Sequence, residues 1–222
     1  VGSKSKGLRP PFFVEIGARK PGMSNSALLR ELCGWDGVLF DFQPGLSPHG
    51  GCPGCPGVKE LVRAEFVTAE NVVALLWKHG VPEDLDLLTV DIDYNDYWVW
   101  RALLADGTYR PRVVAVDFNP DLPLEVAAVV RYNSSAQWDG TRYTVASLLA
   151  YGLLAQAYGY TFAYALEMGS HAIFVRSDLL AEGDQARPLR MVQKAAHPPD
   201  PLGRAFVDVS RDLEAVRPGR FD

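Results

Sequence analysis

Short apolar runs alternate with amphipathic stretches along most of the chain. Phe12 to Ile16 is apolar but for Glu15 and stops at Gly17, as a buried strand would. Ser24 to Leu32 reads as a helix, with Ser24 as N-cap, Leu28, Leu29 and Leu32 on one face, and Gly34 ending it. Val38-Leu39-Phe40 is a second strand closing on Asp41, and a third lies within Leu61 to Val67. Thr68 is placed to cap a second helix, which runs through Trp77 to Gly80. Leu85 to Val90 is almost continuously apolar, as a parallel strand buried on both faces should be, and it ends in Asp91-Ile92-Asp93.

The second half keeps the same rhythm. Asp96 to Leu104 reads as a helix and Val113 to Val116 as a strand ending in Asp117-Phe118-Asn119-Pro120. A long connection, 120 to 142, carries Trp138-Asp139-Gly140-Thr141. Tyr143 to Tyr158 is a helical pattern that Gly159 ends. Tyr160 to Leu166 and His171 to Val175 are two strands joined tightly, hence an antiparallel hairpin. Strand-helix alternation implies right-handed crossovers and a parallel sheet. The expected organisation is a flexible lead-in at 1–11, an α/β domain at 12–178 with a Pro/Gly-rich loop at 44–57, and a surface arm at 179–222.

Composition narrows the function classes. The 222 residues, 48% of them hydrophobic, suffice for one α/β core. A net charge of -5 with no dense Lys/Arg run gives no support to a nucleic-acid surface. With no signal peptide and no apolar run of about 18 residues, no membrane span is expected, and a cytoplasmic location is the default. Cys52 and Cys55 form a CxxC among prolines and glycines. With His49 and Cys33 they make a zinc site only as a minor alternative to a plain surface loop.

The chemistry gathers where strands end. Ligands of open α/β sheets bind outside the carboxyl ends of the strands. Gly17 permits a tight turn and a close ligand approach there. Asp41 is placed to accept both hydroxyls of a ribose, with Gln43 beside it. Asp91, Asp93, Asn95 and Asp96 crowd the end of the central strand. Asp91 and Asp93 either line a metal-free cleft, or Asp93 joins Asp117 and Asn119 around Mg2+ or another divalent cation. Tyr94, Trp138 and Asp139 are candidate substrate contacts. His171 is a candidate base by residue type.

The layout resembles the class I S-adenosylmethionine-dependent methyltransferases, in which the last strand inserts antiparallel beside the fifth. Val14-Glu15-Ile16-Gly17-Ala18 followed by Gly22 is similar to that family's first motif, and Leu87 to Asp93 to its fourth-strand motif. Together with Val114 to Asn119 and Ala172 to Arg176, this resembles the FkbM-type enzymes, over residues 12 to 178. The resemblance implies a Rossmann-like three-layer αβα sandwich with a mostly parallel seven-stranded sheet. It implies S-adenosylmethionine held by Glu15, Gly17 and Ala18, with Asp41, Gln43 and Asp91 completing the cofactor site. Asp93, Asp117 and His171 are then the groups that prepare a small-molecule or glycan hydroxyl. Arg19-Lys20-Pro21 departs from the family's small-residue turn and motivates an alternative, a non-catalytic relative that binds without reacting. A metal-dependent glycosyltransferase using Asp91-Ile92-Asp93 is the other alternative. The methyl acceptor and the oligomeric state are left open.

Overall fold

The structure, a computed structural model, describes residues 9–18, 24–42, 62–166, 171–181 and 197–211. Gln43, the Arg19-Lys20-Pro21 turn, Gly22 and the His49/Cys52/Cys55 group lie outside the described residues.

The elements follow the chain as β1 (Phe12–Ile16), α1 (Ala27–Cys33), β2 (Asp36–Asp41), β3 (Val62–Ala64), α2 (Val72–Lys78), β4 (Leu87–Val90), α3 (Asp96–Asp106), β5 (Val113–Asp117), β6 (Ala128–Val129), α4 (Leu148–Ala157), β7 (Tyr160–Ala165), β8 (His171–Arg176) and β9 (Val207–Asp208). Seven strands form one sheet in the order β3-β2-β1-β4-β5-β8-β7. β1 to β5 run parallel, and β8 lies antiparallel between β5 and β7. This is the mostly parallel α/β sheet with an inserted antiparallel strand that the alternation and the hairpin predict. The carboxyl ends of β1, β2, β4 and β5 therefore open on one edge.

The sheet faces are unequal. Val14, Leu88, Val114 and Phe174 stand side by side across four strands and are each 1% exposed or less. They share one cluster with residues of α2, α3 and α4. Trp100 of α3 is its largest member and packs 5.2 Å from Phe174 and 6.0 Å from Tyr151. The next row, Phe13, Leu87, Val113 and Val175, faces the other way and is half-buried beyond Phe13.

Four local expectations are corrected. The first helix starts at Ala27, and its capping position is Ser26. The Ser24 hydroxyl goes to Glu15 instead. Leu28 and Leu32 are 69% and 77% exposed, so their spacing marks no buried face. The second helix starts at Val72 because Thr68 donates its backbone N–H to Asn71 Oδ1 at 2.8 Å, within a turn that precedes it. Residues 143–147 are not helical. Val145 takes φ 37, and Ser147 caps α4 by accepting the Ala150 N–H at 3.2 Å. Finally, the stretch read as a surface arm supplies β9, which pairs with β6, and Val209 is 1% exposed.

Candidate functional site

Gly17 ends β1 in a conformation that favours glycine, φ 101, and a β-carbon there would lie 1.7 Å from the Asp91 carbonyl oxygen. The amides of Gly17 and Ala18 donate to the Phe40 carbonyl at 2.9 and 3.2 Å, and Asp91 N donates to Ile16 O at 2.9 Å. The ends of β1, β2 and β4 are thereby drawn together. They border a cleft of about 710 Å³, measured to its open mouth.

Gly17, Asp41, Asp91 and Asp93 line this cleft, as the positions at strand ends predict. Phe42 and Phe66 meet edge to face at 5.6 Å in its wall. Glu65 joins them from the end of β3, held at 2.7 Å by Lys78 and 2.9 Å by His79, which together keep its carboxyl below the ordinary range. Trp138 closes another side. Its indole N–H donates to Thr141 O at 2.6 Å, and its ring meets His197 at 5.2 Å.

Glu15 is 1% exposed and does not line the cleft. Its carboxylate accepts from the Ser24 hydroxyl at 2.6 Å, the Asn25 amide at 2.8 Å and the Ser26 amide at 3.1 Å. It organises the turn that carries Asn25. Asn25 Nδ2 in turn donates to Asp91 at 3.3 Å, and His171 Nε2 sits 3.3 Å from the same carboxylate.

Asp91, Asp93 and Asp117 come from two neighbouring strands, and their nearest oxygens all lie within 4.8 Å of one another. Like charges so close cannot all ionise freely. Burial, then the charges of Asp96, Asp91 and Asp93, holds the Asp117 carboxyl well above its ordinary range. Asp96 behind them is wholly buried and pushed up to about 8, chiefly by burial and then by Asp91. Its carboxylate accepts the Ile92 and Tyr94 amides at 2.8 and 3.0 Å. Such a trio suits a hard cation or the deprotonation of a hydroxyl.

Four sequence candidates sit elsewhere. Ala18 is buried with Phe13 and Leu39 in a small apolar cluster of its own and does not line the cleft. Asn119 is 1% exposed; its Nδ2 serves Arg142 O and Thr144 O and its Oδ1 accepts Asp121 N, so it braces the backbone. Tyr94 packs on Tyr143 and Val130 in a separate apolar cluster. Asp139 pairs with Arg204 at 2.6 Å and bonds the Thr141 hydroxyl at 2.7 Å. Sequence reasoning missed Glu65, Phe66 and Asn25. Glu65 had a signal, since it follows a strand end as Asp41 and Asp91 do. Asn25 had none.

No protein-family model matches the sequence, and no curated protein matches it. Among solved structures, the human methyltransferase 10 domain containing protein is similar with a TM-score of 0.45 and 10% identity over 80% of this chain and 76% of that one. TnmH is similar at 0.43 and 15% identity over 75% of this chain, which spans 50% of TnmH. A SAM dependent methyltransferase from Aquifex aeolicus scores 0.39 at 14% identity, over 76% of this chain and 85% of that one.

Proposed function

We propose that the cleft binds S-adenosylmethionine and that the chain transfers its methyl group to a hydroxyl oxygen of a small molecule or glycan. The observation that carries this reading is the convergence of Gly17, Asp41 and Asp91 on one cleft from three adjacent parallel strands. In this reading Asp41, on the cleft wall, accepts the two ribose hydroxyls, and Phe42 and Phe66 form an aromatic wall for the adenine. The Asp91 backbone fills the space that a side chain on Gly17 would need, so position 17 presents bare backbone to the cleft.

When bound, the cofactor supplies a methyl group already activated on a sulfonium sulfur. The protein's tasks are to align the acceptor and take its proton. In this reading the carboxylates of Asp93 and Asp117, with His171 beside Asp91, are the groups offered to that proton. Asp93 and Asp117 offer oxygen ligands if Mg2+ lowers the acceptor's pKa instead.

The same carboxylate convergence favours one second reading, a metal-dependent glycosyltransferase in which Asp91 and Asp93 hold a cation against a nucleotide-sugar diphosphate. Ligand-induced stabilisation separates the two. S-adenosylhomocysteine at 100 times its dissociation constant is expected to add roughly 2.7 kcal/mol, and UDP with Mg2+ nothing. The reverse pattern would replace the first reading with the second.

A further inference from the structure

Two residues other than glycine have positive φ among the described residues, Asp93 at 63 and Val145 at 37. They are 52 positions apart in sequence and one hydrogen bond apart in space. Thr144, immediately before Val145, donates its hydroxyl to the carbonyl oxygen of Asp93. Backbone held in sparsely populated regions persists only where its surroundings over-determine it. Here they do. Asp96 fixes the amides on either side of Asp93, those of Ile92 and Tyr94. Thr144 itself is 3% exposed, and its carbonyl accepts Asn119 Nδ2 at 3.0 Å. Asn119 N donates to Ala146 O at 2.8 Å, on the far side of the strained Val145.

The consequence is a bridge between two strands. Asp93 lies beyond the end of β4, and Asn119 lies two residues beyond Asp117 at the end of β5. Pairing between β4 and β5 stops at Val90 and Val116, so hydrogen bonds between these two strands no longer fix the register of Asp93 against Asp117. The 142–147 strap restores it, tied to Asp93 through the Thr144 hydroxyl and to β5 through Asn119. Ser147 closes the strap by accepting Ala128 N at 3.0 Å. We propose that Thr144 is a positioning residue, whose hydroxyl holds Asp93 in the left-handed conformation that brings its carboxylate to Asp91 and Asp117. Its effect on ligand binding rests on the methyltransferase reading; its effect on Asp93 does not.

The test uses Thr144→Val, which keeps the shape and removes the donor, and Thr144→Ser, which keeps the donor. Crystal structures of both come first. The expected result is that Asp93 leaves positive φ in the valine variant, with its carboxylate beyond the 4.8 Å that now joins the trio, and stays in place in the serine variant. Asp93 unmoved in the valine variant would overturn the proposal. Thr144→Ala gives the same reading if the valine variant does not fold. Calorimetric titration with S-adenosylhomocysteine then reads the consequence: a loss of tenfold or more in affinity for valine, restored to within about threefold by serine. Affinity lost equally in both variants would reduce Thr144 to a packing role. Failure of the unaltered protein to bind the probe would count against the methyltransferase reading and leave the crystallographic outcome standing.

Discussion

Gly17 and Asp91 meet where β1 and β4 end, so closely that a β-carbon on Gly17 would sit 1.7 Å from the Asp91 carbonyl oxygen. The atom in the way is backbone, which cannot swing aside. Gly17→Ala therefore combines an overpacked contact with a φ of 101 that an alanine rarely adopts. A destabilisation of about 2–4 kcal/mol is expected, read as a lower urea midpoint at unchanged slope. A midpoint within error of the unaltered protein would mean the two strand ends are looser than described.

Asp41 is half-buried at the cleft wall, so its removal should affect ligand more than fold. Loss of a charge-assisted hydrogen-bonding group corresponds to about 1.5–3 kcal/mol. Asp41→Ala should therefore weaken S-adenosylhomocysteine roughly tenfold to 150-fold while leaving the melting temperature nearly unchanged. Calorimetry and a thermal melt on the same preparation check both halves.

Asp96 gives a pH dependence of definite sign. Its folded pKa is about 8, above the roughly 3.9 of an unfolded aspartate. Across that window the folded state holds a proton that the unfolded chain releases. The stability contributed is present in full below about pH 4 and lost as pH rises through about 8. Asp117, raised by burial and its acidic neighbours, adds in the same direction. Urea midpoints should fall between about pH 5 and about pH 8. Asp96→Asn, which keeps an oxygen for the Ile92 and Tyr94 amides, should flatten the fall. Parallel slopes would relocate the titrating group.

Val209 tests whether the late segment belongs to the folded unit. It is 1% exposed, shares the main core cluster, and donates its amide to Ala127 O at 3.0 Å. Val209→Ala should cost about 2 kcal/mol by denaturant unfolding. A neutral result would return residues 197–211 to the surface.

Much of the architecture was legible because it is written in local patterns. The apolar run before Asp91 marks the central strand, and the tight link before His171 marks the antiparallel insertion. That Asp41, Asp91 and Gly17 line one cleft was legible because a parallel sheet gathers its strand ends along one edge. Other features have no local signature. Tyr143 to Tyr158 carries apolar spacing suited to a helix, yet bonds from Asn119 and to Asp93 pull its first turn into the strap. Leu28 and Leu32 show helical spacing on a helix with no buried residue. Glu15 looks like a ligand group by motif, but Ser24, Asn25 and Ser26 claim both its oxygens. The Tyr143 and Glu15 departures arise from side-chain partners that local spacing does not register.

Binding of S-adenosylmethionine in the cleft at the ends of β1, β2 and β4 is open to one direct measurement. Calorimetric titration of the unaltered protein with S-adenosylhomocysteine, with and without Mg2+ and with UDP as control, tests it most directly. Micromolar, one-to-one binding of the homocysteine compound is expected, and none of UDP. Heat from UDP with Mg2+ alone, or from neither ligand, would contradict it.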